Sequence, residues 1–158
     1  MDSNKDTIVR SLLIPIRGGK LLVPSAIIAE VTSLRGIEEI PENPYDWLDG
    51  IIHWRGQRIP LLNVEKVLAL PPSKKPKRQR LVVLYGLEIG QTIPFYALLA
   101  SDIPRTLILT EDSLTTIGEG KRHSGIVFHA KVQDEENVWL PDLNYLEQLL
   151  KESSSVLH

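Results

Sequence analysis

Cysteine is absent from this chain of 158 residues. Disulfides, thiolate nucleophiles, zinc fingers and iron–sulfur ligation are excluded with it. No apolar run approaches the roughly 20 residues that a membrane-spanning helix needs. The opening stretch MDSNKDTIVRSLLIPIR is acidic and polar before its apolar run. It lacks the basic start and small-residue cleavage site of a secretory signal. A cytoplasmic protein without direct membrane insertion is expected. An excess of charge is missing too: 18 Lys and Arg face 20 Asp and Glu, a net charge of −2. A protein built around a nucleic-acid backbone shows a marked basic excess.

Catalytic signatures are equally scarce. No G-x-S-x-G elbow occurs, and Ser101-Asp102 and His123-Ser124 are only sequence neighbours. Triads assemble in space, yet no local arrangement here raises one above background. The histidines at 53, 123, 129 and 158 show neither H-x-x-x-H nor H-E-x-x-H spacing. His129, in IVFHAKV, reads as a strand residue facing solvent or satisfied in the core, and His158 as a terminal residue. Gly18-Gly19 and Gly118-Glu119-Gly120-Lys121 form neither a phosphate loop nor a dinucleotide fingerprint. The expectation is a protein that is not an enzyme and carries no metal and no cofactor.

What is present is mostly β. Strands are expected at 9–16, 20–24, 27–34, 50–55, 58–63, 80–87, 91–100, 104–110, 125–132 and 138–140. Gly18-Gly19 supplies a turn, and Pro41, Asn43 and Pro44 mark a loop. Asn63 suits the cap of a short helix over 63–68 that Pro71-Pro72 ends. In PDLNYLEQLLKE, Leu143, Leu146, Leu149 and Leu150 share one face of a closing helix. GQRIP at 56–60 is echoed by GQTIP at 90–94, each at a hairpin turn. With the basic stretch SKKPKRQR between them, these suggest two similar β lobes joined by a linker. Short strands punctuated by Gly and Pro point to a barrel or sandwich, with prolines 15, 24, 60 and 94 at edges and bends.

Two features leave functional alternatives open. The run Lys74, Lys75, Lys77, Arg78 and Arg80 could meet nucleic acid through counterion release. Balanced charge and the lack of interleaved aromatics favour a solvated linker instead. The hairpin GIIHWRGQRIPLLNV places Ile52 and Trp54 on one face and Ile51, His53 and Arg55 on the other. The first face suits a core. The second is either an exposed tip or an interaction edge where Arg supplies a planar fork.

The stretch Leu48-Asp49-Gly50-Ile51-Ile52-His53-Trp54-Arg55-Gly56-Gln57-Arg58-Ile59-Pro60-Leu61-Leu62-Asn63-Val64 resembles the signature of the CheW-like domain. In that family a Gly, a strand ending in Asn-Leu-Arg-Gly, a turn, and Ile-Pro-apolar-apolar-Asp-Leu follow in order. KLLVPSAIIAEV is similar to its second strand and Val-x-Glu element, here Ile28-Ala29-Glu30-Val31. IPENPYDWL, RLVVLYGLEIGQTIPFYALLASDIPRTL and PDLNYLEQLL extend the likeness over residues 8–151. His53 and Trp54 replace the usual Asn-Leu, Asn63-Val64 replaces Asp-Leu, and the Val-Asp often found near Ile93–Ala100 is lacking.

The resemblance implies an all-β domain over 8–151: two five-stranded SH3-like barrels around a shared core, with short helices. Lobes at 8–70 and 80–151, a linker at 71–80 and flexible termini at 1–7 and 152–158 are expected. It implies a non-enzymatic adaptor bridging a chemoreceptor's cytoplasmic tip and the regulatory domain of a CheA-type histidine kinase. The divergence points to a system of the kind that controls type IV pili and twitching. Ile28, Glu30, His53, Arg55 and Gly56 correspond to the partner-binding, receptor-facing region, and the kinase contact falls on edge strands of one lobe. No nucleic-acid partner is expected. The alternative is a nucleic-acid-binding small barrel that uses the Lys74–Arg80 loop.

Overall fold

The computed structural model describes residues 9–70, 75–87, 93–110, 114–116, 126–132 and 135–157. Strands β1 (Val9–Ile16) and β2 (Gly19–Pro24) form a hairpin, followed by a 3-10 turn at Ser25–Ile27 and β3 (Ile28–Ser33). A second hairpin joins β4 (Leu48–Trp54) to β5 (Gln57–Leu62). Helix α1 (Val64–Val67) follows, its first turn capped by Asn63 Oδ1, which accepts from the Lys66 N–H at 3.1 Å. Beyond the basic linker come β6 (Arg80–Tyr85), β7 (Phe95–Ala100), β8 (Arg105–Leu109), β9 (Leu114–Thr116), β10 (Ile126–Val132) and β11 (Glu135–Pro141). Helices α2 (Leu143–Glu152) and α3 (Ser154–Leu157) close the chain. No helix among the described residues is long and apolar enough to cross a membrane.

The strands pair into two sheets, one in the order β8-β1-β2-β11-β10-β9 and the other β3-β6-β7-β5-β4. The fold is mostly β with short helices, and each sheet curls around its own core. The first sheet has a sixth strand, β9, that a five-stranded expectation omitted.

The expected division into lobes at 8–70 and 80–151 does not match the pairing. β1 and β2 pair with β8 and β11 from beyond the linker, while β6 and β7 join β3, β4 and β5. Local hairpins carry turn signals in the sequence. The pairings that cross the linker carry none, and they decide the layout. The expected flexible terminus at 152–158 is also corrected over its described part, where Ser153 is fully buried and α3 packs Val156 and Leu157 against the core. His158, the 88–92 turn with the first three residues of GQTIP, and Pro71-Pro72 lie outside the described residues.

Alternation along the strands builds three cores at once. Leu13 and Leu22 point into the first barrel with Leu107, Leu109, Val132 and Val138. Leu61, Leu81, Val83 and Ala97 point into the second with Ile52, Trp54 and Ile59. Their neighbours Ile14, Leu21, Val23, Leu62, Val82, Leu84 and Leu98 point the opposite way and meet in one shared centre. A period of two thus buries both faces of β1, β2, β5, β6 and β7, so these strands read as continuous apolar runs. Leu146 and Leu150 of α2 seal the shared centre. Pro60 sits one residue before β5 begins to pair with β7, where its missing N–H costs no ladder bond.

Leu84 is fully buried in the shared centre, whereas Ile108 on β8 is 56% exposed. Leu84→Ala is expected to cost about 2–5 kcal/mol in urea denaturation. Ile108→Ala should stay within about 0.5 kcal/mol of the parent. Equal losses would contradict a core shared between the sheets.

Candidate functional site

The β4–β5 hairpin is tight. Trp54 pairs directly with Gln57, leaving Arg55 and Gly56 as a two-residue turn with φ of 47° and 75°. Positive φ at both positions marks the hairpin turn whose twist matches that of the strands, and Gly at the second position suits it. This corrects the strict alternation expected through Arg55: the strand stops at Trp54, and the left-handed backbone swings the arginine aside. A non-glycine residue there costs about 1–2 kcal/mol. Two contacts offset the cost. The Arg55 guanidinium lies 4.9 Å from the centre of the Trp54 ring, and Arg55 Nη2 donates to Glu30 Oε1 at 2.6 Å.

Glu30 reaches this position from β3, on the far edge of the same sheet. A register shift between Ile28 and Glu30 separates their environments. Ile28 is half-buried against the shared centre, Ala29 packs on the barrel core, and Glu30 meets the hairpin. Its second oxygen, Oε2, accepts from Trp54 Nε1 at 3.3 Å. The indole therefore fills the barrel mouth with its rings and satisfies its N–H at the rim. Side chains thus tie edge strands β3 and β4, which are not hydrogen-bonded neighbours.

Glu38 makes a second clamp. Its Oε1 pairs with His53 Nε2 at 2.9 Å and its Oε2 accepts from Arg58 Nη2 at 2.6 Å. Its backbone exchanges two hydrogen bonds with Ile51, at 2.8 and 2.9 Å. That bridge covers Ile51, which the alternation had placed on the outer face beside His53 and which is in fact buried. Gly50 permits the approach, since a Cβ there would lie 2.5 Å from the Glu38 carbonyl oxygen. Arg58 also donates to the Leu157 carbonyl of α3 at 3.3 Å.

Of the five residues expected at a partner-binding region, Glu30, His53 and Arg55 line one open cleft of about 310 Å³, together with Trp54 and Arg35. Gly56 shapes the turn and lines the neighbouring groove. Ile28 lies apart, in the core. Sequence reasoning missed Glu38, Arg58 and the polar role of the Trp54 N–H. One signal was available: His53, Arg55 and Arg58 exceed the acids inside the hairpin, so their partners had to come from outside it. Which acids would serve was not legible, because β3 reaches β4 through no backbone pairing.

The cleft carries groups suited to recognition. It offers an exposed arginine on a rigid turn, flanked by carboxylates and by a run of rings. Trp54 lies 4.9 Å from Phe95, and Phe95 lies 5.5 Å from Tyr85, which is 45% exposed. Among the described residues no cluster of His, Asp and Glu could hold a metal ion. His123 lies outside the described residues. His129 stacks on Trp139 at 3.8 Å in the other sheet.

Comparison with known proteins adds three findings. The family model of the CheW-like domain matches residues 10–150. Among solved structures, the scaffolding protein TtCheW from Thermoanaerobacter tengcongensis is similar, with a TM-score of 0.70 at 19% identity over 90% of each chain. No curated protein matches by sequence.

Hydrogen bonds from Arg55 first, then Trp54, hold the Glu30 carboxyl below its ordinary value of 4.5; Arg58 and then His53 do the same for Glu38. A depressed carboxylate keeps its clamp closed above the ordinary glutamate range and releases it as pH falls through the lowered value. Carboxyl ¹³C shifts followed against pH should place both titrations below an ordinary glutamate. Arg55→Ala should raise the Glu30 midpoint and leave that of Glu38 in place. Movement of both, or of neither, would contradict two separate clamps.

Proposed function

The chain belongs to the CheW-like domain family, and we propose that it couples a chemoreceptor's cytoplasmic tip to the regulatory domain of a CheA-type histidine kinase. The family is one of chemotaxis scaffolds, not enzymes. Coupling by such a scaffold works through modest interfaces on separate faces, with signal passing as shifts in relative docking. The working unit is the domain expected over 8–151 together with α3, which packs against its core.

One observation carries the receptor side of this reading: Arg55 stands 66% exposed at the hairpin tip, yet Glu30 and Trp54 fix its orientation. A pre-oriented guanidinium loses little conformational freedom on binding and presents its remaining donors as a planar fork. Glu30, His53 and Gly56 frame the same tip, while Ile28 stays with the shared centre.

The proposal extends to the pathway. His53 and Trp54 depart from the Asn-Leu usual in the family, and both departures form bonds, one to Glu38 and one to Glu30. Through these bonds His53 and Trp54 alter how the hairpin rim is tied together. We read these departures as marking a system of the type that governs type IV pili and twitching.

Arg55→Glu reverses the tip charge beside Glu30. Binding to the cognate receptor tip, read by calorimetry, should weaken about tenfold or more while the circular dichroism spectrum stays that of the parent. A variant that binds the receptor tip like the parent would remove Arg55 from the interface.

A further inference from the structure

The basic stretch after α1 does not behave as the solvated spacer its composition suggests. The Lys77 N–H donates to the Ser101 carbonyl at 2.8 Å, and the Ser101 N–H donates to the Pro15 carbonyl at 2.8 Å. Arg78 Nε donates to Asp102 Oδ1 at 3.1 Å. These bonds lay the linker against the β1–β2 turn and the end of β7. Between them opens a cleft of about 330 Å³ whose charged lining is Arg17, Lys20, Lys75 and Lys77 against Asp102 alone.

The acids nearby are already committed, Glu65 to the Arg17 N–H at 2.9 Å. Asp102 is held below the ordinary range by the Ile103 N–H, at 2.7 Å, and by Arg78. Glu135 is shared between Lys20 and Arg105. Lys75 and Lys77 form no ion pair among the described residues and are both exposed. With Lys20 held by Glu135, the surplus positive charge at this concave place comes from Lys75 and Lys77.

We propose that this cleft is a docking site for an acidic peptide segment of a partner protein, one bearing clustered carboxylates or a phosphorylated side chain. It is separate from the hairpin clamps, with which it shares no residue, and it does not depend on which receptor or kinase the adaptor serves. The lining explains the choice of occupant. It holds no aromatic side chain on which a base could stack, as single-stranded nucleic acid binding requires. Compact lysines on a tethered backbone suit the point charges of carboxylates or a phosphate.

The test uses the full chain and three fluorescent probes of equal charge: a hexaglutamate peptide, a phosphoserine peptide and an oligothymidylate. Anisotropy is read at low and at physiological salt. A peptide probe should bind at low salt, and Lys75→Gln with Lys77→Gln should weaken it about fivefold to tenfold. Arg10→Gln with Lys131→Gln, an equal charge change at exposed sites elsewhere, should leave binding within about twofold. The two peptides distinguish phosphate from carboxylate as the preferred anion. The proposal is overturned if neither peptide binds at low salt, if the oligothymidylate binds as tightly as the better peptide, or if the two double variants weaken binding equally.

Discussion

Five strands of this fold must hide both of their faces. β1 and β2 face the first barrel on one side and the shared centre on the other, and β5, β6 and β7 do the same for the second barrel. Along their central spans such strands leave little room for polar side chains, because burying an unpaired polar group costs several kcal/mol; Ser11 of β1 and Tyr96 of β7 are buried there all the same. Recognition is therefore pushed to the barrel rims, the turns and the linker. The hairpin tip at Arg55 and the cleft at Lys77 both lie where the apolar alternation stops.

At the hairpin rim, polar groups substitute for a missing strand pairing. β3 and β4 are the two edges of one sheet, and Glu30 and Glu38 bind β4 and its turn from outside. Exposed ion pairs of this kind add little stability, about 0–1 kcal/mol each. Their value is orientation. Each carboxylate holds two donors at once, so the tip is ordered before any partner arrives. Trp54 links the two roles, 7% exposed within the barrel core while its N–H reaches Glu30 at the rim.

Much of this was legible in the residues. Local hairpins declared themselves through Gly and alternating apolar residues: β1–β2, β4–β5 and β6–β7 fall close to the expected spans. Asn63 capped its helix, and the leucine stripe of α2 met the core through Leu146 and Leu150. The two-barrel layout came from family resemblance. Periodicity could not show that β1 and β2 pair with β8 and β11 across the linker. β9 is three residues long, too short for a pattern to register. At the site, Glu30 and Arg55 were both named, but their contact was not derivable, because it depends on the bulge in β3 and the left-handed turn at Arg55. Glu38 escaped because it sits in a loop whose backbone bridges to Ile51.

The proposed coupling by this two-barrel domain is open to measurement at its kinase contact. The protein should be mixed in pull-down experiments with the regulatory domain of each CheA-type kinase from its own source. Stable capture of one of them is expected, weakened by substitutions along a barrel edge strand such as β8. Failure to capture any of them, with the fold intact by circular dichroism, would contradict the coupling assignment.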